Sequence, residues 1–478
     1  MANISRRHVL AGMGTAGFAT SLGTLKNLGM SNAWAAETSG YKAMVCIFLK
    51  GGMDAADTII PYDQSSYDQL KSVRPNLFDT YNSDRSESSR NRENLLRLTP
   101  SNSGDFGGRE FGVSTQLAPI HNMFETGDLA VIGNIGPLIE PTARTQLENG
   151  TAILPPRLFS HNDQQATWMS FGVEGVNRGW GGRFMDTISA SAPNQNPVFS
   201  AISVTSNDVF LAGEQVNAFR ISFGNVAEPS LINRQLYLGY TSGDDAARSK
   251  MEAFLEKRDF QNRSIIQSDI ANATSNAFLN TEQFVDAKQN AIPLTTQFPD
   301  TALGGQLKSV AETMQIRHHL NVSRQMFYCA MEGFDTHSDQ TNKLPELHEE
   351  LAGAMGAFRQ AMLELGVWDN VVVFTASDFG RTLIDNGNGT DHGWGGHQFV
   401  AGGSVQGRRI YGEIPSPEPG SSSYTQSRGR LLPTTSVDQY AATLGGWFGL
   451  DSAELRATLP NINNFETADL GFMSSSGS

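Results

Sequence analysis

Three apolar runs, far apart in the chain, each stop within a few residues of an aspartate. "KAMVCIFLKGGMD" carries a strand over 43–49 through Gly51 and Gly52 into Asp54. "SRQMFYCAMEGFD" carries one over 323–331 through Gly333 into Asp335, and "VVVFTASD" carries one over 371–376 through Ser377 into Asp378. Short apolar runs bounded by glycine or polar residues read as strands buried on both faces, the kind found in parallel sheets. Between the last two, Leu344, Leu347, Leu351, Met355, Phe358, Met362 and Leu365 recur at helical spacing, so a helix over about 343–365 has an apolar face and ends at Gly366. Strand, amphipathic helix, strand is a βαβ unit whose strands run parallel. In such a sheet the C-terminal strand ends share one edge, and ligands bind there. Three carboxylates brought to that edge repel one another, and a multivalent cation relieves the repulsion.

The remaining chain supports an α/β fold. With 478 residues, 39% of them hydrophobic, it builds a large core, as one domain with insertions or as two. The expected architecture is three-layered, α/β/α, with a mostly parallel central sheet. A helix over about 115–126 and a strand over 129–135 are predicted, with a further strand in "NPVFSAISV" and a terminal helix in "SVDQYAATLGGWFGL". Residues 62–112, rich in Ser, Asn and Arg, read as an insertion or long surface loop, and about 225–300 as a helical insertion. Residues 401–434 are loop-rich, and the final "SSSGS" reads as a frayed tail.

A formal net charge of −14 argues against nucleic acid as a partner. Residues 1–35 read as an export signal: Arg6 and Arg7 precede a mild apolar stretch, and Ala33 and Ala35 form an A-x-A cleavage pattern. Paired arginines before a weakly hydrophobic, Gly-rich segment resemble a twin-arginine signal. The mature chain, 36–478, is then periplasmic or secreted, with the bacterial twin-arginine translocation machinery as a partner. No later segment has the roughly 18 consecutive apolar residues of a membrane span. Cys46 and Cys329 both sit in apolar runs and read as buried thiols, although an oxidising compartment permits a disulfide.

Histidines follow the acids. "GFDTHSD" carries His337, and "GTDHGWGGH" carries Asp391, His392 and His397 in a Gly-rich loop. Imidazoles with carboxylates suit zinc, with manganese, iron, magnesium or calcium as alternatives. The plainer alternative is that each aspartate forms a turn or a helix cap, with Asp391 only orienting His392. His121, His318, His319 and His348 read as surface or helix-end residues. In "PPRLFSHNDQQATWM" a helix starts near Ser160 or Asn162, and a hydroxyl there lies in a field that favours anions, so Ser160 is a nucleophile candidate as well as an ordinary N-cap. His161 is a candidate for metal ligation, leaving-group protonation or substrate binding. Arg381 is a candidate anion clamp or a surface salt bridge.

The segments "FLKGGMDAADTIIP", "FSHNDQQATW", "GFDTHSDQ", "ASDFGRT", "GTDHGWGGHQFVAGGSVQG" and "SVDQYAATLGGWFGL" together resemble the family called domain of unknown function 1501, over about 43–450. That family is similar to the alkaline phosphatase and sulfatase superfamily. The resemblance implies an alkaline-phosphatase-like fold, Asp54, Asp335, His337, Asp378 and His392 as metal ligands, and Ser160 as nucleophile. Phe379 stands where the superfamily has a histidine, and Asp391 or His397 is a candidate replacement. A two-metal site lacking one imidazole recruits another, binds one metal or is inactive. The implied function is an exported metal-dependent hydrolase of small phosphate or sulfate esters. The alternative is an inactive binding or assembly protein, which Phe379 and the lack of a sulfatase C-x-P-S-R signature favour. Nucleotide chemistry is disfavoured, because neither G-x-x-x-x-G-K-[ST] nor a strand-linked G-x-G-x-x-G occurs.

Overall fold

Alternation along one strand sets the layers. In β1 (Lys42–Leu49), Ala43, Val45, Ile47 and Leu49 enter one core while Met44, Cys46 and Phe48 enter another. Both faces of the sheet are therefore covered, which the unbroken apolar run requires. The structure, a computed structural model, describes residues 40–84, 89–190, 194, 196–205, 209–221, 265–425 and 428–474. The proposed leader, residues 225–264 of the proposed helical insertion and the last four residues lie outside these.

In chain order β1 is followed by α1 (Gln64–Val73), α2 (Pro75–Asp84), α3 (Ala118–Glu125) and β2 (Leu129–Gly136). Next come α4 (His161–Ser170), α5 (Trp180–Ala190), β3 (Ala201–Ser203), β4 (Phe219–Arg220), α6 (Ile265–Gln289) and α7 (Ala302–Gln315). The chain continues through β5 (Arg324–Met331), α8 (Gln340–Glu364), β6 (Val371–Ser377), β7 (Gly396–Gly402), β8 (Ile410–Gly412), β9 (Thr435–Ser436) and α9 (Val437–Phe448). The sheet order is β8-β2-β7-β6-β1-β5-β3-β4, with β9 also pairing β2. Among the described strands of this sheet only the pairings of β7 are antiparallel. Helices α3, α7 and α8 contribute to one core and α4, α5 and α9 to the other. This is the expected three-layer, mostly parallel arrangement. None of the described helices is long and apolar enough to cross a membrane.

The βαβ unit is parallel, with one refinement: β5 and β6 are not neighbours, because β1 lies between them and pairs in parallel with both. Leu344, Leu351, Met355, Phe358 and Met362 of α8 are buried, and Leu347 and Leu365 pack at the core margin.

Three expectations are corrected. Residues 62–112, expected as an insertion or a long surface loop, are not a loop: they hold α1, α2 and the strand Leu96–Arg97, which joins Ile60–Pro61 and Phe111–Val113 in a small sheet. Their Ser/Asn/Arg content obscured the buried Tyr67, Leu70, Phe78 and Tyr81, which anchor them. His397 lies on β7, not in a loop. His348 is fully buried in α8, not at the surface, where Thr58 Oγ1 lies 3.5 Å from its Nε2. The cysteines are free. In the β1–β5 register Ile47, not Cys46, faces Cys329, and the two thiols enter opposite cores.

Candidate functional site

The register brings the three strand ends to one level, since Leu49 pairs with both Met331 and Ser377. Ser377 Oγ fastens two of them, donating to Leu49 O at 2.6 Å and accepting from Met53 N at 2.9 Å. Gly51 and Gly52 allow the close approach. Both have positive φ, and a Cβ on Gly51 would lie 2.2 Å from Asp335 N, one on Gly52 2.7 Å from the Phe379 ring.

From that edge the three aspartates diverge in role. Asp335 projects toward solvent, with its side chain 47% exposed. Around it stand the Nε2 atoms of three histidines: His161 at 3.5 Å, His337 at 3.3 Å and His392 at 3.5 Å. His337 Nε2 is also 2.7 Å from His392 Nε2. Each Nδ1 meets an acceptor: Asp378 Oδ2 at 2.6 Å for His161, Asp391 Oδ1 at 3.2 Å for His337, and the Phe159 carbonyl at 2.8 Å for His392. The Phe379 ring lies beside two of the imidazoles, its centroid 4.9 Å from that of His161 and 4.6 Å from that of His392.

Asp54 takes another course. It caps the short helix Ala55–Thr58, accepting from Ala56 N at 3.1 Å. Its two oxygens meet the Arg74 guanidinium at 2.7 and 2.9 Å, and Gln340 Nε2 donates to it at 2.7 Å. Gln340 Oε1 accepts from Thr390 Oγ1 at 2.7 Å, and Thr390 O accepts from Arg381. Arg381 Nη1 then donates to Asp335 Oδ1 at 2.7 Å and to Gly51 O at 2.9 Å. A buried polar chain thus connects Asp54 to Asp335 without placing Asp54 in the histidine cluster.

The structure therefore gathers His161, Asp335, His337 and His392 directly, with Asp378 and Asp391 one hydrogen bond behind. Arg381 is buried, fixing Asp335 rather than reaching into solvent. His397 Nδ1 accepts from Asn134 N at 3.0 Å. Ser160 stands at the N-cap position of α4 without a side-chain cap bond, its Oγ donating instead to Asp163 Oδ2 at 2.8 Å. Gln165, Gln340, Arg74 and the Phe159 carbonyl were not singled out from sequence. Gln165 offered one signal, lying four residues after His161 on the same helix face, and it donates to Asp378 at 3.0 Å.

The electrostatics follow from these contacts. The hydrogen bond to Asp378, acting against burial, lifts His161 above the ordinary imidazole value. Burial pushes His337 and His392 down, helped by Arg381 for the first and by His161 for the second. Burial raises the Asp335 carboxyl, but the hydrogen bond and charge of Arg381 outweigh it and hold the group below the usual carboxylate range.

The donor set fits a metal ion. Each Nδ1 lies at an acceptor, and in the tautomer that keeps its proton there, a neutral imidazole turns its Nε2 lone pair toward the others and toward a carboxylate. His161 Nε2 is a buried nitrogen without a hydrogen-bond partner. The ligand atoms of His161, Asp335 and His392 all lie within 4.8 Å of one another. Imidazoles whose second nitrogen is held by a carboxylate or carbonyl are the usual ligands of zinc and its neighbours.

Fold and centre together define an α/β protein with an open histidine–carboxylate site at the C-terminal edge of its sheet. The chain belongs to the family described as "Protein of unknown function (DUF1501)", which it matches over residues 41–458. No curated protein matches it. Among solved structures it is similar to a Bacteroides thetaiotaomicron protein described as a 4S-sulf from a locus for metabolism of multiple glycosaminoglycans. The identity is 11% and the TM-score 0.32, covering 87% of this chain and 74% of that one. It is also similar to Ps i-CgsB, solved with a neocarrahexaose, at 8% identity and TM-score 0.30, covering 87% and 74%. A putative sulfatase from Bacteroides thetaiotaomicron matches at 10% identity and TM-score 0.26, covering 78% and 66%.

Proposed function

We propose that the chain is an exported metal-dependent hydrolase of phosphate or sulfate esters. The observation that carries this reading is the convergence of three imidazole Nε2 atoms on a solvent-facing carboxylate at a parallel sheet edge. His161, His392 and Asp335 would hold the ion, which when bound polarises an ester oxygen as a Lewis acid. Ser160 adjoins His161 at the start of α4 and is the nucleophile in this reading. Its hydroxyl is oriented by Asp163, and the helix N-terminus favours the negative charge that develops on it. Arg157 and Arg428, half-exposed or more and paired to Asp163 and Asp391, are solvent-facing guanidinium groups for a substrate anion. Twin-arginine export of residues 1–35 and a periplasmic or secreted location belong to the same reading, with small sulfated or phosphorylated esters as substrates.

Metal-loaded protein tested on aryl phosphates and aryl sulfates should turn over one class, and Ser160→Ala should lower kcat about a thousandfold or more. Metal-replete protein that hydrolyses neither class contradicts the reading. A second reading, a binding or assembly protein on the same fold, is favoured by the hydrogen bond that ties Ser160 to Asp163. It requires that loaded protein capture its partner with no ester turnover, and that Ser160→Ala change nothing.

A further inference from the structure

We infer that the cavity lined by Leu147, Leu154, Leu158, Phe159, Trp394 and Arg430 binds a small, apolar, ring-containing carboxylate, and that in the hydrolase this is the non-reacting part of the ester. The second clause rests on the reading above; the binding itself requires neither metal nor turnover.

The cavity measures about 310 Å³, at the lower end of the range for small-molecule sites. Its walls are mostly aliphatic and aromatic. Trp394 Nε1 donates to Pro137 O at 2.9 Å, so the only polar atom of the indole is engaged and the ring offers apolar surface alone. Leu154 is 43% exposed and the preceding Ile153 55%, adjacent aliphatic side chains left in water where an apolar occupant would cover the first of them.

Charge sets the sign of the ligand. Arg144 and Glu148 also line the cavity and pair with each other at 2.9 Å. Arg430 is half-buried, with its Nε donating to His392 O at 2.8 Å and its guanidinium carbon 4.1 Å from the Phe159 ring centroid. Among the described residues its Nη1 and Nη2 have no hydrogen-bond partner and no carboxylate pairs with it. Burial and the charge of Arg428 hold it below the ordinary guanidinium value, with no acid opposing them. The lining therefore has one positive charge in excess, at a planar group whose free end matches a carboxylate bidentately.

Continuity ties the cavity to the histidine centre. The Phe159 carbonyl lies 2.8 Å from His392 Nδ1 while its ring lies under Arg430, and Ser160 is the next residue. Arg157 and Phe159 hold this turn at φ 51° and 72°, left-handed values that a bulky residue keeps only when its surroundings demand them. Trp394 follows His392 by two residues. An ester presented to Ser160 thus has the cavity beside it, and binding of its remote part adds to the free energy available at the reacting centre.

The test is calorimetric titration of the full chain with naphthoate and with naphthamide, its neutral isostere. Naphthoate should bind one to one with or without added zinc. Arg430→Gln should weaken naphthoate about 10–100-fold and leave naphthamide within about threefold. Leu154→Glu, a change at an exposed side chain that leaves folding intact, should weaken both about tenfold or more, whereas Ile153→Glu, outside the cavity, should change neither. No binding, binding only with zinc present, equal loss of both ligands in Arg430→Gln, or equal effects of Leu154→Glu and Ile153→Glu each overturn the inference. Phosphate and sulfate esters of hydroxynaphthoate separate the two readings: the ester class that turns over should show a KM about tenfold or more below its phenyl counterpart. Naphthoate binding with no ester turnover leaves the site standing and removes the hydrolase reading, and turnover of phenyl esters without naphthoate binding does the reverse.

Discussion

At the scale of single residues, the decisive contrast is between Asp335 and Asp54. Both follow a central strand, yet one meets imidazoles at an open edge and the other an arginine in the interior. Removing one partner of a buried ion pair leaves an uncompensated charge, at a cost of about 3–5 kcal/mol. Arg74→Met should lower unfolding stability by that amount in urea titrations, and Arg74→Met/Asp54→Leu should recover much of it. A loss under about 1 kcal/mol, the scale of a surface pair, would show that Asp54 is not buried in this way. The aspartates were legible as strand-end residues, because apolar runs announce strands. Their partners were not: nothing in "KSVRP" marks Arg74, and pairing across distant segments leaves no periodic trace. Phe379 reads in sequence as a missing imidazole, and only its packing against two histidines gives it a role.

At the scale of elements, strands and the long helix were legible, since burial on both faces and a 3.6-residue period each write a pattern into the sequence. Strand β7 was not, because glycines and a histidine interrupt "GHQFVAG" and hide its apolar centre. The interleaved β1 and β5 make a prediction about thiols. Cys46 and Cys329 lie on opposite faces, so reductant should leave the melting temperature unchanged, and both thiols should react with a thiol reagent only after unfolding. A reductant-sensitive melt contradicts that register. Helix α8 carries a second test near its end. Glu364 accepts hydrogen bonds from Thr295 N, Thr296 N and Thr296 Oγ1, and these hold its carboxyl down at about 2 against an ordinary 4.5. A depressed carboxylate contributes stability above its unfolded value and loses it as pH falls through its folded value. The contribution should therefore fade between pH 4.5 and 2. Glu364→Gln should remove that fall, and an unchanged profile contradicts the anchoring of the 295–296 segment to α8.

At the scale of the whole molecule, buried histidines set the response to mild acid. Burial pushes His348 and His397 each down to about 4 from an ordinary 6.5. The unfolded chain takes up these protons first, so stability present above pH 6.5 declines as pH falls toward 4. Each group is worth on the order of 3 kcal/mol over that window. Asp438 opposes them, because burial raises its carboxyl to about 6, and its relief in acid is of similar size. Two losses exceed one gain, so net stability should drop between pH 6.5 and 4 in denaturant titrations, and His348→Gln should flatten the curve. A wild-type profile that rises on acidification contradicts the burial of these rings. The sheet-edge histidines are a separate matter, since what they hold decides what the molecule does. Crystals soaked in zinc and measured on either side of the zinc absorption edge address this directly. One anomalous peak per chain is expected, bounded by His161, His392 and Asp335. A second peak at Asp54, or no peak among those three residues, would contradict the account.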